Sequence, residues 1–416
     1  MPNALRNYLI VTGGYWAFTI TDGAIRMLVV LYFHLLGYSP FEVAMLFLFY
    51  EFFGIVTNLA GGWLGSRIGL NMTMHIGMAL QIFALSLLMA PQAWLTVIYV
   101  MFAQALSGIA KDLNKMSAKA SIKTLLPEKK KSEKTTDKDA EPRLFKWVAI
   151  LTGSKNALKG LGFFIGALLL QWLDFRGALA VLSGGLFIVL ILSILLLPAA
   201  LGKSRSKTKI SQIFSRSPAI NWLSAARFFL FGSRDVWFVV ALPMYLYSVF
   251  DWNFMQVGGF LALWIIGYGM VQASAPRLIR HSHHNRGPDG STARLWAFIL
   301  AVFPAAIAAG LYIGVQPQLI LITGLLAYGF VFAINSAVHS YLIVAWSDQD
   351  KVSMNVGFYY MANAAGRLSG TVLSGWIYQT QGLVGCLIGS TLFILIAALL
   401  SLRLPAEDNK KIQPQL

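Results

Sequence analysis

Long apolar runs alternate with short breaks of charged residues, glycine, proline and asparagine along the whole chain. The pattern predicts helices over residues 8–33, 41–64, 72–90, 93–110, 145–170 and 178–197. After a polar stretch it predicts six more, over 219–249, 254–275, 295–314, 319–346, 352–379 and 383–402. A helix needs about 20 mostly apolar residues to cross the hydrocarbon core of a bilayer. The expected fold class is therefore an all-α membrane protein of twelve transmembrane helices in two six-helix halves.

The polar stretches set the organisation. Residues 127–143, PEKKKSEKTTDKDAEPR, mix charges with no apolar face and read as a cytoplasmic loop without structure of its own. Residues 199–218 are basic and separate the two sets of six, which gives an N-terminal half over 1–198, a cytoplasmic linker over 199–218 and a C-terminal half over 219–416. The basic linker is also suited to touch anionic lipid headgroups. A weak repeat supports the duplication. Phe18, Asp22, Tyr32, Phe41, Phe47, Leu48 and Gly54 recur at a constant offset as Phe231, Asp235, Tyr245, Phe254, Phe260, Leu261 and Gly267. The apolar matches carry little weight, but a repeated carboxylate inside a span is rare enough to count.

Charge confirms the span count and sets the orientation. The chain has 33 Lys and Arg against 17 Asp and Glu, a formal charge of +16, yet only 12% of its residues are charged and 57% are hydrophobic. In a soluble protein that excess would suggest nucleic acid. Here twelve spans sort almost all of it to one side: Arg6, Arg67, the lysines of 111–146, the basic residues of 203–216 and 277–294, Lys351, Arg403, Lys410 and Lys411. The other side keeps Arg176. Cytoplasmic loops retain positive charge, so both termini are expected in the cytoplasm of a multi-pass inner (plasma) membrane protein, with lipid and not nucleic acid as its surroundings. The start, MPNALRNYLI, lacks a basic n-region and a cleavage site, so the first apolar run is expected to be retained. A single cysteine, Cys386, excludes an internal disulfide and a multi-thiolate metal site.

The chemistry lies in charges that sit where lipid penalises them, at roughly 2.5–3.5 kcal/mol each on the insertion scale. Asp22 and Arg26 fall well inside the first span, Glu51 in the second, Lys155 and Lys159 in the fifth, Arg227, Arg234 and Asp235 in the seventh, and Arg367 in the eleventh. Most lie at similar depth, so they are expected to meet in one cavity. Six cations against three carboxylates point to an anionic cargo.

Two readings compete at each group. Asp22 with Arg26, and Asp235 beside Arg234, can be helix-locking ion pairs or parts of a site. Lys155 and Lys159, one helical turn apart, repel each other and favour an anion, with Ser154 and Asn156 as added donors. Arg367 shares a stripe with Asn355, Tyr359 and Asn363, which reads as a wet donor face or as interhelical hydrogen bonding helped by Gly366 and Gly370. Arginine grips phosphate-like oxyanions in a bidentate fork and lysine adds a compact charge, so a cargo with two oxyanion groups fits the mixture.

Glu51, in FYEFFG, has no cation beside it in sequence. It is the expected proton carrier, because desolvation would raise its pKa, or else a hydrogen-bonded structural carboxyl. Lys111, Lys115 and Lys119 with Asp112 read as an anion ramp or as interfacial lysines snorkelling to the surface. His339 is either a cavity donor or a packed histidine. His281, His283 and His284 lack partners at metal-site spacing, so no metal site is expected. No glycine loop followed by Lys-Ser/Thr occurs, so no nucleotide or other cofactor is expected to drive the protein directly. An enzyme acting on lipid-linked phosphate would need clustered acid, base and metal ligands near one interface, which the buried Lys and Arg do not supply.

The loop GGWLGSRIGLN resembles the major-facilitator signature through Gly62, Leu64, Arg67 and Gly69. It departs from the signature at Ser66, where an Asp is usual, and at Leu70 and Asn71, where basic residues follow. Longer strings, YWAFTITDGAIRMLVVLYFHLLGYSP, GIAKDLNKMSAKASIK, ILTGSKNALKGLGFF, SAARFFLFGSRDVWFVVALPMYL and FYYMANAAGRLSG, resemble the ArsJ-type organoarsenical efflux permeases of that superfamily. The likeness leaves out the 127–143 and 281–293 loops. It implies export of 1-arseno-3-phosphoglycerate, an ester supplied by glyceraldehyde-3-phosphate dehydrogenase when arsenate replaces phosphate, and hence arsenate resistance. The residues alone reach only a small di- or polyanion, so a permease for phosphate esters or other organic anions is the alternative.

Overall fold

The computed structural model describes the backbone of residues 2–68, 70–125, 140–197, 217–280, 287–347 and 352–406, with side chains described over a slightly narrower set. These residues are helical almost throughout: α1 (Pro2–Leu35), α2 (Pro40–Met45), α3 (Leu48–Ile68), α4 (Leu70–Leu88), α5 (Val97–Leu125), α6 (Ala140–Leu196), α7 (Pro218–Phe238), α8 (Ala241–Ser248), α9 (Phe254–Arg280), α10 (Gly290–Ile313), α11 (Pro317–Ala345) and α12 (Val352–Ser401). Most of the 127–143 loop, the 199–216 linker stretch and His281, His283 and His284 lie outside the described residues, as do the side chains of Gly62, Leu64, Arg67, Gly69, Lys119 and Lys351.

The twelve expected spans are recognisable in these helices. Among the described residues nine helical stretches are long and apolar enough to cross a bilayer, and two of them, Gly153–Leu196 (44 residues) and Asn355–Ser401 (47 residues), have double length. Each of these folds back at one residue of positive φ. Asp174 (φ 55°) breaks α6 between the fifth and sixth expected spans, and Gly382 (φ 67°) breaks α12 between the eleventh and twelfth. With α5, the count reaches twelve.

The expected second and seventh spans are each interrupted, as α2 with α3 and α7 with α8. The fourth was expected to end at residue 110, but α5 runs on to Leu125. Lys, Ala and Met in that tail are good helix formers, and the first lysines fold inward, as described below. The shorter connections are capped by local chemistry. Ser39 and Glu42 satisfy each other's backbone at the start of α2 (3.3 and 2.8 Å). Asp289 accepts from the Thr292 amide at the start of α10 (3.0 Å), and Gly314, at φ 80°, ends that helix.

By mutual packing the chain divides into two compact units. One comprises Met1–Glu133, Leu158–Gln212 and Pro243–Leu263, and the other Lys134–Ala157, Ile213–Leu242 and Trp264–Leu416. In the first, α5 packs against α1, α3 and α4, and Val11, Phe18, Met74, Met78, Leu186 and Leu190 form an apolar core. In the second, α12 packs along α7 and against α10, over a core that includes Ile220, Leu223, Ala275, Ile334 and Val338. Large apolar side chains such as Trp172, Leu195 and Leu263 point outward, as lipid-facing positions require.

One contact recurs in both units. A Cβ on Gly162 of α6 would run into the Ile20 carbonyl of α1, and one on Gly366 of α12 would run into the Phe228 carbonyl of α7. Small residues let membrane helices touch backbone to backbone. At that spacing, charged side chains within two turns of the contact meet across the helix pair, Asp22 with Lys159 and Asp235 with Arg367.

Candidate functional site

In the first unit the α1–α6 contact joins Asp22 to Lys159. The Lys159 ammonium lies 3.1 Å from Asp22 Oδ2, and the Tyr50 hydroxyl donates to Oδ1. Arg26, one turn further along α1, turns to α3 and donates from Nη2 to Glu51 Oε1 at 2.7 Å. Its guanidinium packs over Phe47 and Tyr50, 5.1 and 5.2 Å from the ring centroids.

Two lysines one turn apart on α5 close this network. The Lys111 ammonium lies 3.9 Å from Glu51, 3.8 Å from Asp112 and 4.0 Å from the centre of the Tyr50 ring. Lys115 reaches Asp112 at 3.3 Å and Asn58 Oδ1 at 3.1 Å. Arg26, Lys111, Lys115 and Lys159 thus face Asp22, Glu51 and Asp112, with cations and carboxylates alternating and all side chains largely buried.

In the second unit the corresponding α7–α12 contact joins Asp235 to Arg367, whose Nε lies 3.1 Å from Oδ2. Arg234 grips the other oxygen with Nε at 2.7 Å and Nη2 at 2.5 Å. Asp235 is fully buried (0% exposed) and is shared between two arginines. A third, Arg227, sits two turns earlier on α7 and has no carboxylate in reach among the described residues. Its Nε donates to Asn363 Oδ1 at 2.9 Å and its Nη1 to Ser336 Oγ at 3.3 Å, with the Ser336 carbonyl at 3.4 Å. The Ser336 hydroxyl also accepts from Gln272 Nε2 at 3.2 Å, and Gln272 Oε1 accepts from Asn156 Nδ2 at 2.8 Å. Phe231 stacks on Arg227 at 3.7 Å and Tyr359 lies 5.1 Å away.

These contacts correct four expectations. Of the two readings of Asp22 with Arg26, the i, i+4 salt bridge is not formed, because each pairs with a residue on a neighbouring helix, Lys159 and Glu51. Glu51 is not isolated from cations, since Arg26 and Lys111, remote in sequence, converge on it. Lys159 is not an unmatched cation, because Asp22 neutralises it, while Lys155 on the same helix is half-buried. Lys111 and Lys115 do not snorkel to the surface; they are 15% and 13% exposed and fold onto carboxylates.

The other predicted residues are placed as follows. In the stripe of Asn355, Tyr359, Asn363 and Arg367, Asn363 accepts from Arg227, Arg367 binds Asp235, and the Tyr359 ring lies beside Arg227 on α7. His339 is buried at 1% exposure, with no hydrogen-bond partner at Nδ1. Tyr50, Gln272 and Ser336 went unnoticed in sequence. A serine, an asparagine and a histidine together in INSAVHS of α11 were the available signal for Ser336.

A profile of the Major Facilitator Superfamily matches residues 11–338. A search of curated proteins finds no match. Among solved structures, the human organic anion transporter MFSD10 (TETRAN) is similar over 96% of this chain and 100% of its own, with a TM-score of 0.67 at 14% identity. A bacterial homologue of the iron transporter ferroportin, in an outward-facing state, is similar over 95% and 98%, with a TM-score of 0.64 at 16% identity. At such identities the likeness concerns the fold, and the fold agrees with the profile. With its helices, its buried charge and a match over most of its length, the chain belongs to the Major Facilitator Superfamily and is a multi-pass membrane transporter, not an enzyme.

Proposed function

We propose that the protein exports a small anion with two oxyanion groups across the inner membrane, and that this anion is the arsenic ester 1-arseno-3-phosphoglycerate. The observation that carries the anionic cargo is the second unit, where Arg234 and Arg367 share one carboxylate, Asp235, and a third buried arginine, Arg227, has only neutral partners among the described residues. A buried positive charge left uncompensated is strongly unfavourable, and an anionic guest supplies what the protein withholds. Each of the carboxylates Asp22, Glu51, Asp112 and Asp235 already has a Lys or Arg against it, which disfavours a metal cation as cargo. The arsenic identity rests on the resemblance of the strings around Asp22, Lys159, Arg234 and Arg367 to the ArsJ-type permeases. Glyceraldehyde-3-phosphate dehydrogenase then acts as supplier of the substrate, both termini lie in the cytoplasm, and residues 1–198 and 219–416 act as the two halves of an alternating-access carrier.

The test is growth and transport together. Cells making the protein with the dehydrogenase are expected to withstand arsenate that stops cells making either alone. Everted vesicles are expected to accumulate arsenic only when the dehydrogenase, its substrates and arsenate are present. Accumulation of phosphate esters with no arsenic requirement would replace this reading with a general organic-anion permease. Running the vesicles with an imposed pH gradient separates proton coupling from simple efflux.

A further inference from the structure

Arg227 differs from every other cation of the two networks in the character of its partners. Arg26, Arg234, Lys159 and Arg367 each touch a carboxylate. Arg227 is just as buried, at 3% exposure, but is held by an amide oxygen, a hydroxyl and a carbonyl. None of these cancels its charge. The rings of Phe231 and Tyr359 fix the plane of the guanidinium and give a partial electrostatic return.

The fork is half used. Nε and Nη1 are committed to Asn363 and Ser336, and Nη2 has no protein partner among the described residues. Around it stand polar atoms that burial would normally pair. Tyr359, one turn before Asn363 on α12, has a buried hydroxyl with no partner at full hydrogen-bond geometry, only the Ser340 side chain beside it. His339, on the turn of α11 after Ser336, has an unpartnered Nδ1. Unpartnered buried groups occur elsewhere in the chain too, but Tyr359 and His339 lie beside a charge that no carboxylate cancels, which marks a place that something else completes.

We propose that Arg227, His339 and Tyr359 form an anchoring subsite for a tetrahedral oxyanion of the phosphate or arsenate class, an inference that rests on the anionic cargo proposed above. Arg227 Nη2 and the Tyr359 hydroxyl donate to separate oxygens of the group, and a neutral His339 carrying its proton on Nδ1 donates to a third. A phosphoryl-type end offers each of the three donors its own oxygen in a tetrahedral array and carries more charge, whereas a planar carboxylate must share two oxygens among them, so the subsite prefers the former. Gln272 and Asn156 orient the Ser336 hydroxyl that holds Nη1 and act as positioning residues. Asp235, clamped by Arg234 and Arg367, takes no part in this subsite.

Asn363→Asp is the decisive variant. It places a carboxylate where an amide oxygen now sits 2.9 Å from Arg227 Nε, cancelling the charge while keeping the shape and strengthening the helix contact. The purified full chain is titrated by calorimetry with inorganic phosphate, 3-phosphoglycerate and acetate, and its thermal unfolding is followed in parallel. The wild type is expected to bind phosphate and 3-phosphoglycerate in preference to acetate. Asn363→Asp is expected to weaken both by about tenfold or more, with an unfolding midpoint equal to or above the wild type. Arg227→Lys, which keeps charge but loses the fork, is expected to weaken them by a similar factor. If the wild type binds and both variants bind equally well, the subsite is refuted while the anionic cargo survives. If the wild type binds none of the anions, the cargo reading fails and takes the subsite with it.

Discussion

The α1–α6 and α7–α12 helix pairs are two versions of one device that have diverged in charge. Both rest on glycines that bring backbones into contact. Both pair a carboxylate of the first helix with a cation of its partner, Asp22 with Lys159 and Asp235 with Arg367. Asp22 and Asp235 are also equivalent in the sequence repeat. Around this common pair, the first unit sets Glu51 and Asp112 against Arg26, Lys111 and Lys115, whereas the second adds Arg234 and Arg227 and, among the described residues, no further carboxylate. The same architecture nearly cancels its charge in one place and leaves two of three arginine charges uncancelled in the other, among the described residues. The presence of charge in a span therefore says little, and what its neighbours leave uncancelled says a great deal.

The sharpest way to break the comparison is to remove each shared carboxylate. Asp235→Asn leaves two buried arginines without their anion and is expected to destabilise the protein by about 3–5 kcal/mol. Asp22→Asn is expected to do less, because it deprives one cation, Lys159, of its carboxylate where Asp235→Asn deprives two. Unfolding midpoints in detergent compare the two, and equal losses would mean that the units are energetically alike. The glycine contacts come next. Gly366→Ala and Gly162→Ala each drive a methyl group into a carbonyl on the facing helix and are each expected to cost about 1–3 kcal/mol. Matching losses sharpen the view that packing is shared and charge is not. The smallest change is Tyr50→Phe, which deletes the hydroxyl that donates to Asp22. Since Lys159 remains, a loss of about 1 kcal/mol is expected; a much larger loss would show that the first unit depends on its hydrogen bonds as heavily as the second depends on Asp235.

The helices were legible because each span carries its own evidence. Apolar length is local, and the breaks near residue 174 and at Gly382 sit where the runs pause. The membership of the buried charge set was legible for a similar reason, since a charge in an apolar run stands out. Partnership was not. Glu51 looked isolated because Arg26 and Lys111 lie on other helices, and Arg26 looked paired with Asp22 because i, i+4 spacing is the only contact a linear string displays. Lys111 and Lys115 looked interfacial because nothing near them in sequence reveals Asn58 and Glu51. Ser336 and Gln272 were invisible as site residues, since polar side chains in a span can bond to their own helix.

The sequence by itself determined that this protein dissolves in lipid, how many times it crosses, and that cations outnumber carboxylates inside it. Those properties follow from composition along a single helix, whose backbone satisfies itself and whose apolar faces need no particular neighbour. Only the tertiary structure decided which charges cancel. An ion pair depends on a separation of a few ångströms between side chains that no periodicity within one helix encodes, and here that separation is set by where glycines let two helices touch.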